Sequence, residues 1–242
     1  MVQASWRRVL VGISGAVLLG LGGCSSTRSS ARVNEEWLAR VPEAQLEGVR
    51  QAQLVQKKAT DEVTRAKVAI QDAKHAQEIA RRNEEAARAH KKASEVAMAG
   101  ARSKGQSTDI AQAQEYVRRA DQESSVAQAE VGFRDQAVST LEALERMRAR
   151  ELAVADAELA QQQYLALQRS GDLRAQQLSG ADFAKAVADA KSKAAEAQRE
   201  VDAHLQKERL AQAQWQQLRD QTQGYGGSGT QGPSSVPQGP VK

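Results

Sequence analysis

Few side chains in this sequence could do covalent or metal chemistry. There is one cysteine, Cys24, and there are three histidines, His75, His90 and His204. A lone thiol forms no internal disulfide, and without spaced His or Cys partners it is not a zinc site. His204 and Glu208 stand four apart, where side chains on one helix meet. That pair reads as a polar layer that fixes helix register, with a metal pair as the rarer use of such spacing. No phosphate-cradling glycine loop and no nucleophile-elbow motif occurs. The carboxylates are scattered among Lys and Arg, as in Arg81-Arg82-Asn83-Glu84-Glu85. Such runs are solvated helix faces, without the enclosure that shifts a carboxyl pKa for acid/base work. The expectation is no enzyme, no catalytic residue, no cofactor, no metal and no small-molecule substrate.

The chemistry that remains is at Cys24. Met1 to Arg8 is short and basic, and Val9 to Gly23 is an uncharged run of 15 residues with five glycines. A spanning helix needs roughly 20 apolar residues, so the run is short for a permanent span. A basic start, a short apolar run and a small-residue exit are the parts of a secretory signal peptide, here residues 1–23. Its exit is Leu21-Gly22-Gly23-Cys24. This resembles the lipobox of bacterial lipoproteins: Leu, two small residues, then Cys. The resemblance implies diacylation of the Cys24 thiol, cleavage of the Gly23–Cys24 bond by signal peptidase II, and acylation of the new amino group. An ordinary cleaved signal followed by a stray cysteine is the bland alternative. Ser25 resembles the residue that releases lipoproteins to the outer membrane, and a Gram-positive host would place the anchor in the cytoplasmic membrane. One acyl chain holds only marginally at roughly 0.8 kcal/mol per buried CH₂, whereas two or three hold firmly.

Removing the signal takes away Arg7 and Arg8, leaving 32 basic against 30 acidic side chains. A nearly balanced, well-mixed chain has no basic patch, so no nucleic-acid partner is expected. The chain of 242 residues holds 44 Ala and 29 Gln, and aromatics make up 3%. Residues 43–223 contain no Pro and only six Gly. This composition reads as long helices and argues against the thick mixed core of an α/β enzyme.

The elements follow from spacing. Residues 24–41 form a lipidated, Ser-rich linker, with Trp37 and Leu38 placed to pack on the folded part or to dip into lipid headgroups. A domain of long, coiled-coil-like helices occupies 42–223, with helices at about 42–101, 109–178 and 181–222. Pro42 suits a first helical turn. Ala59, Val63, Ala66, Ile70 and Ala73 make a heptad stripe, continued by Ala76 and Ala80 after a stammer, then by Ala86, Ala87, Ala93 and Ala97. Gly105 offers a left-handed cap, and Ser107-Thr108-Asp109 offers capping groups for the next helix.

The second stripe runs from Ile110 and Ala113 through Val117, Ala120, Ser124, Ala127, Val131, Arg134, Val138, Leu141, Glu145, Arg148, Leu152, Ala155, Leu159 and Gln162 to Ala166. Leu144 and Met147 flank it. The third is Phe183, Val187, Ala190, Ala194, Ala197, Val201, His204, Glu208, Ala211, Trp215 and Leu218. Between them, Ser170-Gly171-Asp172 and Ser179-Gly180 look like helix stops, although the three/four phase passes through both. A turn near Ser179–Ala181 folds the third helix back; the alternative is one helix of roughly 170 Å. Residues 224–242, rich in Gly, Pro and Ser, read as a disordered tail that is passive or reaches a partner through Tyr225.

The expected fold class is therefore all-α: long antiparallel helices as a hairpin or three-helix bundle. Alanine seams bury little area, so stability calls for length, a third helix or a partner chain. Around Glu84-Glu85-Ala86-Ala87-Arg88, the stretch from Ala59 to Leu144 is also similar to Ala-rich helical lipoprotein domains found upstream of OmpA-like domains. No wall-binding domain follows in this sequence, so no wall-binding role is carried over. The functional expectation is a lipid-anchored structural or scaffold lipoprotein on the periplasmic face of the outer membrane. It would be held by acyl chains on Cys24 and would act through its seams on a protein partner or a second copy. The alternative is an accessory subunit of a secretion, efflux or wall-synthesis machine.

Overall fold

A computed structural model describes residues 31–223, and the described residues are all-α, with no strand. A four-residue helix α1 (Glu35–Leu38) leads through a short 3-10 turn at Glu43–Gln45 into α2 (Glu47–Lys104). α3 (Ser107–Arg169) and α4 (Gly180–Gln223) follow, joined by an elbow that contains a 3-10 turn at Leu173–Gln177. α2, α3 and α4 run 58, 63 and 44 residues. At 1.5 Å per residue α3 is about 95 Å long, so the described residues form a rod.

The three long helices are antiparallel in sequence order. Gln56 donates to Asp156 at 2.7 Å and Gln77 to Asp135 at 2.6 Å, while Lys74 pairs with Glu142 at 3.0 Å and His90 with Glu123 at 3.0 Å. Numbers rise on α2 as they fall on α3. Between α3 and α4, Lys191 meets Glu158 at 2.8 Å and Arg146 meets Glu200 at 2.6 Å. α3 packs along both neighbours, while α2 and α4 do not pack along one another. The architecture is thus a three-helix antiparallel array centred on α3, with no mutual packing of its outer pair.

α3 carries two seams for this purpose. The sequence-derived row from Ile110 to Ala166 is buried or half-buried at every position. A second row, Phe133, Gln136, Thr140, Ala143 and Met147, also steps by three and four. Ala143 and Met147 pack with Ala197 and Val201 of α4, joined by Leu144 and Leu205. Leu144 and Met147 therefore belong to a separate contact and do not merely widen the first. The α4 row from Phe183 to Leu218 has no exposed member.

On α2 the expected stammer is absent. The buried side runs Ala66, Ile70, Ala73, Gln77, Ala80, Glu84, Ala87, Lys91, Ser94 and Met98 in unbroken three/four steps. Polar residues hold the phase where alanines had suggested a slip, because Gln77 and Lys91 find carboxylate partners at Asp135 and Asp121. Ala86, Ala93 and Ala97 face outward.

Four boundaries differ from expectation. α2 begins at Glu47, not at Pro42: Val41 and Leu46 turn into a core at this end of the rod, and that bend precedes the helix. It extends to Lys104 before Gly105, at φ 75°, donates to the Ala101 and Arg102 carbonyls. α3 starts at Ser107 after Gln106, with no side-chain cap. It stops at Arg169, not near 178, because Gly171 takes φ 71° and Asp172 N–H reaches back to the Leu167 carbonyl at 3.2 Å. This left-handed closure satisfies the last carbonyls of the helix. The Ser179 hydroxyl then accepts from the Asp182 amide at 3.3 Å, capping α4.

Alanine seams make the packing sensitive to added volume, since Ala80, Ala120 and Ala166 are 1%, 0% and 1% exposed. Ala120→Leu is expected to destabilise by about 1–3 kcal/mol through overpacking. Phe183, 1% exposed and stacked on Tyr164 at 4.9 Å, is the opposite case. Phe183→Ala is expected to cost about 3–5 kcal/mol. Urea unfolding followed by far-UV circular dichroism measures both.

Candidate functional site

Gly23 and Cys24, the expected cleavage and lipidation positions, lie outside the described residues, as do the signal segment, residues 25–30, and the tail with Tyr225. What the structure supplies is the place where the N-terminal segment meets the rod. Ala31 is 7% exposed and sits with Arg32 at a groove of about 350 Å³ between α3 and α4. Its floor is Ala153, Ala157, Ala160, Ala186 and Ala190, and Arg150, Asp156, Asp189 and Lys193 form its edges. The small floor residues let the backbone of the incoming segment approach both helices.

From Ala31 the chain runs to the end of the rod where α2 begins and α3 turns into α4. The Asn34 side chain accepts from the Glu36 amide at 3.0 Å and starts α1. Val41, Val49, Leu159, Ala166, Leu167 and Ala175 then form the larger of the two buried clusters among the described residues, with Val33, Trp37, Leu38, Leu46 and Leu178 around it. Trp37 and Leu38 are used for packing on the rod, one of the two uses the sequence left open. This base joins five segments, and Leu167 within it is fully buried.

Electrostatics tighten the same end. The Arg174 guanidinium lies over the Trp37 ring at 5.3 Å, and Asp172 holds that guanidinium through Nε at 2.9 Å and through Nη2. The same carboxylate accepts from the Arg174 amide at 2.9 Å. These bonds from Arg174 hold the Asp172 carboxyl down at about 2, against an ordinary 3.8. Asp172 also raises the Arg174 pKa. Trp37, Arg174 and Asp172 thus tie the incoming segment to the elbow.

The other polar candidates fall along the seams. His204 sits on the α4 seam with Nδ1 buried and without a hydrogen-bond partner, and Glu208 is half-buried on the same row. No group of three or more metal-ligating side chains converges among the described residues. Arg134, on the first α3 seam, turns its guanidinium over Phe133 at 5.1 Å and over Trp215 at 5.9 Å. Phe133 and Trp215 stack at 5.4 Å, and Arg219 caps the indole at 5.0 Å. Sequence reading missed this aromatic and cationic layer, although the seven-residue spacing of Phe133, Thr140 and Met147 carried its signal. Arg148 pairs with Glu151 at 2.7 Å, and Glu145 is half-buried. No described helix is long and apolar enough to cross a membrane.

The depressed Asp172 pKa has a sign that can be tested. Its interaction with Arg174 is at full strength above pH 3.8 and is lost as pH falls through about 2. The carboxyl resonance of Asp172, followed by NMR from pH 6 downward, is expected to titrate at about 2, not at 3.8. Arg174→Ala is expected to return it toward the ordinary value and to loosen Trp37, seen as a red-shifted indole emission.

Compared with known proteins, the chain is matched by no family model, no curated protein and no solved structure.

Proposed function

We propose that this protein is a lipid-anchored structural element of the bacterial cell envelope, held by acyl chains on Cys24 and working through coiled-coil contacts of its helices. One observation carries the reading. The only cysteine follows a basic-apolar leader at Leu21-Gly22-Gly23, and what comes after it is a rod. Such a layout suits a spacer or scaffold, because acyl chains supply the membrane hold that no described helix provides. Ser25 favours the outer membrane, with the rod on its periplasmic side.

The geometry of the base supports the same reading. Cys24 is seven positions before Ala31, a reach of at most about 25 Å. Ala31 lies beside Ala153 and Ala157, near the base and far from the Gly105 turn. An anchor there leaves the Gly105 end of α2 and α3 free to project. The base, with its larger core and its Asp172–Arg174–Trp37 tie, is the end built to bear load. A rod with alanine seams and open grooves offers contact surfaces along its length, which supports a structural role.

Labelled palmitate is expected to enter the wild-type protein in the native host and not the Cys24→Ser variant, which should leave the membrane fraction. Label in Cys24→Ser, or wild-type protein found wholly in the soluble fraction, would refute the anchor. Small-angle scattering is expected to give a maximum dimension of about 100 Å for each protomer. A value near half of that would remove the spacer role.

A further inference from the structure

Among the described residues, no element packs on the outer side of α2. α2 uses only its Ala66, Ile70 and Ala80 side against α3, and α4 does not pack along it. The opposite side carries another three/four row: Ile79, Arg82, Ala86, Ala89, Ala93 and Val96, all exposed. Ile79 and Val96 are 59% and 68% exposed, among the most open large hydrophobic side chains of the described residues. Continued toward the start of α2, the same row is mainly polar, with Lys58, Asp61, Arg65 and Asp72 separating the isolated, exposed Leu54 and Val68. Four consecutive apolar positions, Ala86, Ala89, Ala93 and Val96, occur on this row only in the half of α2 nearer the Gly105 turn. There α4 also gives out: its last turns, at Leu218, lie beside Ser125 and Gln128 of α3. Beyond that point the described rod is two helices thick.

We propose that this row is a self-association surface, on which a second copy of the chain packs antiparallel about a twofold axis at Ala89. The charges select this arrangement. Glu85 and Lys92 occupy the same edge of the row, seven residues apart, so a twofold at Ala89 sets Glu85 of each copy beside Lys92 of the other. A parallel, in-register pair would instead bring Lys58, Asp61, Arg65 and Asp72 each against its own copy, which is repulsive. Arg82 is held along its own helix by Glu78, which keeps its charge off the contact line. The chemistry is that of the α2–α3 seam, where Ala80 and Ala120 allow close backbone approach. The row from Ile79 to Val96, about 26 Å of helix, is shorter than the internal seams, so the expected dissociation constant is on the order of 10 μM. The inference rests on the scaffold reading, whose partner it names, and is independent of the acyl anchor.

The test uses the full chain with Cys24→Ser in non-ionic detergent, so that failure of the anchor and failure of the surface are read separately. Sedimentation velocity should show a concentration-dependent dimer. Ala89→Lys should raise the dissociation constant at least about tenfold, while Val68→Lys, on the polar half of the same row, should not. Glu85→Lys should weaken the dimer, and adding Lys92→Glu should restore it. Under mild oxidation Ala89→Cys should form a disulfide-linked dimer and Ala86→Cys should not, because antiparallel copies hold residue 86 of each chain about 10 Å apart along the axis. A monomer at about 100 μM, a dimer indifferent to Ala89→Lys, or equal crosslinking at both positions would overturn the proposal. So would a different protein that co-purifies with the monomer and is lost on Ala89→Lys.

Discussion

Alanine at the contact line is the constraint on which this rod depends. Ala66, Ala80, Ala113, Ala120, Ala143, Ala155, Ala166 and Ala197 are all buried, so adjoining helix backbones approach closely. Each such residue removes little area from water, and a pair of helices joined this way is marginal. α3 meets the difficulty by using two sides. It packs α2 along one seam and α4 along another, so that it alone links the outer helices. Length then accumulates what each turn contributes only weakly.

Close approach also narrows what else the seams can hold, and several polar groups along the α2–α3 seam meet a partner across it. Gln77 and Arg81 converge on Asp135, Lys91 on Asp121, and His90 on Glu123. Half-exposed pairs of this kind add little stability. Their value is positional: an alanine seam slides at low cost, and each pair is lost when one helix slips by a turn. The polar positions therefore act as register marks along an otherwise uniform surface.

The two ends of the rod differ for the same reason. At the base Val41, Val49, Leu159 and Leu167 supply the aliphatic bulk the seams lack, and Trp37 is pressed under Arg174. At the opposite end Ser94, Ala113 and Ala120 leave a slender hairpin closed by Gly105. A stiff, thick foot and a thin projecting end suit an element held at one end and contacted along its length. The α3–α4 layer of Phe133, Trp215, Arg134 and Arg219 stiffens the middle, where α4 comes to its last turns.

Helix content, the antiparallel return and the α4 seam were legible in the sequence, because heptad spacing, the scarcity of Gly and Pro and the Ser179 cap are local signals. The row from Ile110 to Ala166 was legible for the same reason, and Cys24 stands out by chemistry and position, though its surroundings lie outside the described residues. Folded geometry decided which of the two candidate stops ends α3. The three/four phase continues through Ser170-Gly171-Asp172, and only the left-handed Gly171 with its closing amide bonds breaks it there. It also decided that Gln77, Glu84 and Lys91 belong to a seam, since a polar side chain shows its worth there only against the residue across from it. The second face of α3 was likewise hidden, because two interleaved heptads on one alanine-rich helix look like composition until a neighbour on each side separates them.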